Sequence, residues 1–350
     1  MRPVLSPAAR RLWRDPETLQ LGQVPGRAAV LCGLDPVTRQ ALGLLDGTRD
    51  RAQVVAAAAA VGCPPSRTTL LLELLADTGL LEDAGADLGP LAALERAERE
   101  RLTADLASLA LVRGDGGLPA AGHRAGARVL VIGAGRVGAP LAGMLAAAGV
   151  GSVDVLDEVA GTPQDTGVGA GDLGDVGRSR GQVARERLRA CAPSITAGPL
   201  PRVDLVVLAP ARPDQLEDAR HLVPAGTPHL LAEVRETVGV VGPLVLPGRT
   251  ACLHCLDLTR SDLDPDWPVL AAQLSQPSRS RTACDGPLAL SVASQAAMQA
   301  LALLDGTTDP ASLGGTLELA LPDWRWRRRS WPVHPDCGCA PAAPAEVSLP

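Results

Sequence analysis

Residues 128–157 read RVLVIGAGRVGAPLAGMLAAAGVGSVDVLD. An apolar run, Val129-Leu130-Val131-Ile132, enters Gly133-x-Gly135-x-x-Gly138, an Ala/Leu-rich stretch follows, and a second apolar run ends in Asp157. This order predicts strand, glycine turn, helix and strand. The first two glycines let the backbone turn tightly and approach a phosphate, and the third lets helix and strand close on each other. An acid about 20 residues further on is placed to take ribose hydroxyls. Asp157 is read that way, with a strand-end cap as the alternative. A lone GxGxxG is weak evidence, but here strand, helix and acid all fall in place, which predicts a nucleotide-binding type of α/β fold. Whether a nucleotide binds is a separate question.

Upstream, residues 1–85 form a first unit. Short strands are expected near Leu12-Trp13, over 18–21 and over 28–31, followed by three helices. Asp35 caps the first, over 36–45, and Asp46-Gly47 stops it. The second, over 51–61, is Ala-rich and ends at Gly62. The third, over 66–80, carries leucines at 70, 71, 72, 74 and 75, a wide apolar stripe. Strands followed by three short helices predict a small α+β winged-helix domain. Residues 86–126 are expected to connect, as a helix over about 90–113 and then a turn-rich stretch over 114–126. Residues 127–340 hold the Rossmann-like domain. Within it, 161–181 reads as a mobile polar loop and 182–190 as a helix. A strand over 203–208, a second crossover through 214–222, strands at 229–231 and 238–246, a helix over 288–304 and a final strand region from 316 follow. The tail 341–350 reads as disordered.

The chain has 350 residues, enough for two domains. Its formal net charge of −6 argues against general nucleic-acid binding. It contains no Lys, Asn, Tyr or Phe, so all 33 basic residues are Arg. A chain without Lys or Tyr cannot supply a Lys Schiff base, a P-loop Lys or a Tyr general acid. That excludes pyridoxal enzymes, Walker-type NTPases and dehydrogenases that rely on a Tyr/Lys pair. No signal-peptide core is visible at the N-terminus, and the longest apolar run, 54–61, is too short to span a bilayer. The expected protein is soluble and cytoplasmic, without a membrane partner.

Cys252-x-x-Cys255 and Cys337-x-Cys339 are the second strong signal. Four thiolates from two knuckles would make a closed tetrahedral Zn²⁺ site, structural rather than catalytic. His254 and His334 lie close enough in sequence to substitute for a cysteine. Cys32, Cys63 and Cys191 read as ordinary thiols. Cys284 reads as a structural thiol, because no His is placed to activate it. Residues 324–331, with Trp324, Trp326 and Trp331 among arginines, alternate like a strand. That strand is either a sheet edge packed on the zinc knuckle or a docking surface for an acidic partner.

In order, the glycine-turn segment, DVGRSRGQVARERL, VDLVVLA, LPGRTACLHCLDL, GPLALSVASQAAMQALALLDG and HPDCGC resemble the ThiF-like, ubiquitin-activating-type adenylyltransferases over about residues 100–340. The resemblance implies a mostly parallel sheet with helices on both faces. It also implies ATP-Mg²⁺ acting on the C-terminal carboxylate of a peptide or small carrier protein, and a four-cysteine zinc. The N-terminal part is similar to the peptide-recognition element of leader-peptide-binding components of thiazole/oxazole cyclodehydratases. That similarity implies a partner modifying enzyme, and a homodimer is expected.

By the resemblance, the nucleotide-binding positions are Gly133, Gly135, Arg136, Gly138, Asp157 and Arg180, the last standing where the family has a phosphate-contacting Lys. The departures concern the same site. Asp157 is followed by Glu158-Val159, with no Asn and no Arg until Arg178. The magnesium Asp expected after strand 203–208 is replaced by Ala209-Pro210, and Arg136 stands where the family usually has Gly. Arg136, Arg178 or Arg180 could compensate, or Arg136 could fill the space a phosphate needs. Adenylation needs cations around the α-phosphate. The expectation is therefore a peptide-binding ThiF-like protein with a degraded ATP-Mg site. The alternatives are an active adenylyltransferase and, less favoured, an NAD-dependent oxidoreductase. No catalytic residue is assigned.

Overall fold

The computed structural model describes residues 1–210, 221–276, 283–306 and 308–339. The chain divides into two compact units, Met1–His123 and Arg124–Pro350.

In the first unit, β1 (Pro3–Leu5) is followed by an antiparallel three-stranded sheet of β2 (Arg11–Asp15), β3 (Thr18–Leu21) and β4 (Ala29–Leu31), with β3 in the centre. Three helices come next: α1 (Pro36–Gly43), α2 (Arg51–Ala60) and α3 (Pro65–Asp77). Each start has a local cause. The Asp35 carboxylate accepts from the Thr38 N–H at 2.8 Å, Asp50 and Gln53 form a reciprocal capping box, and Pro64-Pro65 opens α3. Thr68, Leu71, Leu72 and Leu75 of α3 are buried, an i, i+3, i+4, i+7 face. Leu5, Leu19 and Leu21 meet that face in the core. β5 (Leu81–Asp83) then returns to pair antiparallel with β1. Strands β1 and β5 were not foreseen, because three residues are too few to show an alternation.

The connecting segment differs from the single helix expected. A 3₁₀ turn (Gly89–Ala93) precedes α4 (Arg96–Arg101) and α5 (Thr103–Arg113). The Arg/Glu spacing that suggested one helix does form an i, i+4 ion pair, Arg96–Glu100 at 2.7 Å, but such pairs support any helix and mark no breaks. The stretch read as turn-rich contains α6 (Leu118–Gly126), whose Ala120 and Ala121 are buried.

The second unit begins with β6 (Arg128–Ile132), α7 (Gly138–Ala147) and β7 (Ser152–Leu156). Then come α8 (Arg180–Cys191), β8 (Leu205–Leu208), β9 (His229–Arg235) and β10 (Val238–Val245). Helices α9 (Leu253–Leu263), α10 (Trp267–Leu274) and α11 (Gly286–Asp305) precede β11 (Gly315–Ala320) and β12 (Trp326–Ser330). One seven-stranded sheet has the order β12-β11-β10-β9-β8-β6-β7. β7, β6, β8 and β9 are mutually parallel and the remaining pairings are antiparallel, so five of the seven strands point one way. The architecture is the α/β one expected, with the mostly parallel sheet.

One sheet face carries Val129, Val131, Val153, Val155, Leu205, Val207, Leu230, Ala232 and Val241. It is covered by apolar residues of α7, α8 and α11, such as Leu141, Leu145, Leu188, Val292 and Ala296. The other face places Ile132, Val206, Leu208 and Leu231 against Leu222 and Leu253. The 20-residue α11 is by length and composition apolar enough to cross a membrane (mean hydropathy 1.4). Its Leu288, Val292, Ala293, Ala296 and Ala300 are spent on this core. A buried bidentate ion pair, Arg124 with Asp305 at 2.7 Å, ties α6 to its last turn. The crossover expected through 214–222 and the tail 341–350 lie mostly or wholly outside the described residues.

From β6 the chain goes first to one neighbour, β7, and then by α8 to the other, β8. The strand order therefore reverses at β6, and the crevice at the carboxyl ends of these strands is where open α/β sheets bind ligands.

Candidate nucleotide site and metal centre

The turn after β6 is built as its glycines require. Gly133 has φ +98°, and its N–H bonds to the Leu156 carbonyl at 3.0 Å. A Cβ on Gly138 would lie 1.9 Å from the Gly133 carbonyl oxygen and 3.0 Å from the Ala209 methyl. α7 starts at this buried glycine without a side-chain cap. Ala139 donates to the Gly135 carbonyl at 3.2 Å and Pro140 has no N–H, so what this start offers an anion is chiefly the positive end of the helix dipole.

Asp157, at the end of β7, is buried and fully engaged. Its carboxylate accepts from the Ala134 N–H at 2.8 Å and the Val159 N–H at 3.1 Å. It also pairs with Arg180 at 2.8 Å. These bonds lock the glycine turn to the start of α8. Arg180, the first residue of α8, gives Nη2 to Asp157 and Nη1 to Asp165 at 2.9 Å. Its Nε is buried with no partner.

Arg136 does not face this cluster. It donates from Nη1 to the Cys284 carbonyl at 2.6 Å, joining the glycine turn to the segment before α11. Burial pushes the Cys284 thiol up, against the pull of the Arg136 charge, which disfavours the thiolate. Arg178 pairs with Asp175 at 2.8 Å and with Glu186 at 2.7 Å.

The segment expected to be a mobile loop is a hydrogen-bonded lid. Its neck is closed by Gly161 N–H to Arg178 carbonyl and Gly177 N–H to Gly161 carbonyl bonds, both 2.8 Å. Thr162 with Asp165, and Asp172 with Asp175, form two local capping boxes. Arg187 holds Asp172 at 3.0 Å and Asp175 at 2.9 Å. The bond from Arg187, more than any other contact, lowers the Asp175 carboxyl to about 2. Lid and turn border a narrow cleft of about 20 Å³ lined by Ala134, Thr162, Asp165, Arg178 and Arg180 among others.

Asp165, Asp172, Asp175 and Arg187 were absent from the sequence expectation. The n, n+3 spacing of Asp172 and Asp175 is the one signal that marks them. In this network five carboxylates (Asp157, Asp165, Asp172, Asp175, Glu186) face three guanidiniums (Arg178, Arg180, Arg187). Ala209, at the position where the resemblance implies a metal carboxylate, places its methyl against Gly138.

The four paired cysteines come together. Cys252 caps α9 and Cys255 sits in its first turn, while Cys337 and Cys339 follow β12. Their sulfurs all lie within 4.8 Å of one another, with close pairs at 3.8, 3.6 and 3.4 Å. Four sulfurs at ~2.3 Å from a tetrahedral ion are about 3.8 Å apart, so the donor set fits a metal ion with little adjustment. Burial, helped by neighbouring sulfurs, pushes the Cys337 thiol up to about 11 and the Cys339 thiol higher still. Metal binding here therefore releases protons.

The histidines are not in the cluster. His254 is exposed, and His334 bonds to Asp262 at 2.9 Å through Nε2 and accepts from the Asp336 N–H through Nδ1. Trp331 packs on the cysteines, donates to Thr316 Oγ1 at 3.0 Å and lies under Arg329, 4.2 Å from ring centre to guanidinium carbon. β12 is the outer strand of the sheet, so the Trp/Arg segment includes the sheet edge beside the knuckle.

The ThiF family model matches residues 123–339. Among solved structures, the chain is similar to E. coli MccB with ATP, at TM-score 0.72 and 15% identity over 97% of this chain and 100% of that one. It is similar to the microcin C7 biosynthetic enzyme MccB in complex with N-formylated MccA, at TM-score 0.70 and 16% identity over 97% and 100%. It is also similar to PaaA, at TM-score 0.69 and 17% identity over 93% and 98%. These likenesses show the fold. Comparison with curated proteins finds no sequence match.

Proposed function

The chain belongs to the ThiF family, and from that premise we propose that it binds a peptide or small carrier protein for ATP-dependent carboxylate activation or cyclodehydration. In this reading the N-terminal unit recognises the peptide, the nucleotide site is weakened, and a partner enzyme completes the modification. The observation that carries the proposal is the full-length likeness to MccB, a protein solved with a peptide and with ATP. That likeness extends through the N-terminal unit as well as the sheet domain, so the combination of units is shared.

Bound ATP would supply the adenylyl group to which a carboxylate is joined, with pyrophosphate leaving. This chain's own contribution would be the first turn of α7 and Arg180 on the phosphate side. With the site's guanidiniums already matched by carboxylates and Ala209-Pro210 after β8, little cationic stabilisation is left for a transition state that builds charge on the α-phosphate. A second reading, an active adenylyltransferase, is favoured by the unpartnered Nε of Arg180. We assign the four-cysteine site to a structural Zn²⁺ on its all-thiolate donor set, and expect a homodimer.

Two experiments test this. Titration of ATP-Mg²⁺ paired with pyrophosphate exchange is expected to show weak binding and little exchange with any carrier offered. Robust exchange that disappears in Asp157→Ala would make the active enzyme the leading reading.

The second concerns the peptide. In α3, Leu70 and Leu74 are 54% and 46% exposed, so the helix carries more leucine than its core face uses. An extended peptide beside a strand edge gains main-chain hydrogen bonds, and exposed apolar side chains give it selectivity. The isolated N-terminal unit is expected to bind a leader-type peptide, and Leu70→Asp to weaken it at least tenfold. Binding only through residues 124–339 would reject this division of labour.

A further inference from the structure

We propose that Asp165 is a built-in competitor for the anion this cleft receives: it holds the Arg180 guanidinium until a phosphate-bearing ligand displaces it, and so couples anion binding to release of the lid. The inference rests on reading the cleft as a nucleotide site and concerns how that site is regulated.

Arg180 is nine-tenths buried, and both of its terminal nitrogens are taken by carboxylates while its Nε has no acceptor. A buried guanidinium with an unused donor can take a further acceptor. A triphosphate cannot simply join Asp157 and Asp165 there, because three anionic groups around one cation repel. One carboxylate has to leave.

The surroundings decide which. The Asp157 side chain is 0% exposed and is fastened to the Ala134 and Val159 N–H groups, so it cannot reach water without opening the glycine turn. The Asp165 side chain is 24% exposed. Its remaining bonds, to the Thr162 N–H and hydroxyl, are local to the lid and can travel with it. Asp165 is the group that can be exchanged for solvent at small cost.

The lid also covers what a phosphate needs. Ala170 is buried, and a Cβ on Gly169 would stand 3.0 Å from Pro140, in the first turn of α7. The lid tip thus lies over the start of α7, the positive end of its dipole. An anion that takes Arg180 from Asp165 removes one of the lid's anchors while competing with its tip for α7. Arg178 and Arg187 keep the base of the lid attached through Asp172 and Asp175. The device opens at one end.

The test measures inorganic pyrophosphate and ATP-Mg²⁺ binding by calorimetry in the full chain, Asp165→Asn and Asp165→Ala. It adds amide hydrogen exchange over 161–178 in the unaltered chain with and without saturating pyrophosphate. Affinity is expected to rise on the order of tenfold in both variants, the size of one charge-assisted hydrogen bond. Pyrophosphate is expected to speed exchange at the Asp165 and Gly167 amides.

Unchanged or lower affinity in both variants, or no anion binding by any of the three proteins, overturns the proposal. Should the variants fail to fold, exchange in the unaltered chain decides alone, and lid protection unchanged on saturation overturns it. Tighter pyrophosphate binding in both variants, with no peptide bound by the full chain, rejects the proposed function and leaves the competitor standing. Peptide binding by the full chain with pyrophosphate affinity equal in all three proteins does the reverse.

Discussion

Cys337→Ser is expected to strip the metal from the chain and lower its stability by about 5 kcal/mol or more. Binding free energy at a structural thiolate site is folding free energy, with apparent values of ~10–16 kcal/mol in small zinc domains. A domain with its own core retains part of its stability without the ion, so the loss here is smaller than that ceiling. At ~2–4 °C per kcal/mol for a domain of this size, the melting point should fall by about 10–20 °C. A chelator should produce the same shift in the unaltered chain and little in the variant. The cause is local: Cys252, Cys255, Cys337 and Trp331 are the buried centre of a small cluster that has few other large apolar residues. Elemental analysis should give about one zinc per chain. Freshly purified protein without metal, or a variant that melts with the unaltered chain, would remove the zinc assignment.

Two alanine substitutions on the same helix should have opposite signs. Gly138→Ala puts a methyl group 1.9 Å from the Gly133 carbonyl oxygen, a backbone atom fixed by the turn, and 3.0 Å from the Ala209 methyl. Helix α7 has to move off β6, and the Asp157 to Ala134 bond is strained with it. A loss of about 4 kcal/mol is expected, at the upper end of single-substitution effects. At Gly143, five residues along α7, an added Cβ meets nothing within 4 Å. There Gly143→Ala gains helix propensity worth up to about 1 kcal/mol. Paired thermal melts read both. Equal effects would mean that the close approach of helix and strand is not what requires Gly138.

These pairs of observations indicate what a sequence can carry. The glycine turn was legible because its geometry tolerates few residues, and β6, α7 and β7 fall where the run from Arg128 to Asp157 put them. The cysteine pairs were legible because each knuckle holds two ligands within three positions. The short strands β1 and β5 were not, and neither was α6, whose Pro and Gly hide a helix held by buried alanines and an ion pair to a residue 181 positions away.

The lid was the larger omission. Asp165 finds Arg180 at a separation of 15, and Arg187 finds Asp172 at 15 and Asp175 at 12. With Asp and Arg scattered through the segment, many pairings are equally compatible with the letters alone. The partner of Arg136 was out of reach for another reason, since it is a backbone carbonyl 148 positions away, a group every residue possesses.

The sulfur cluster also sets an order on how the chain is made. Its two halves are separated by 85 positions between Cys252 and Cys337. A ribosome adding ~5–20 residues per second takes about 4–17 s to pass from one to the other. During that interval Cys252 and Cys255 stand as a bare dithiol, open to oxidants and to softer metals that two ligands can hold. α11, β11 and β12 are synthesised in the same interval, so the sheet can acquire its outer strands before the ion is enclosed. A metal ion held by all four sulfurs therefore cannot be enclosed before Cys339 is made. Scarcity of such an ion would leave the sheet unfastened at one edge, rather than halt it at its start.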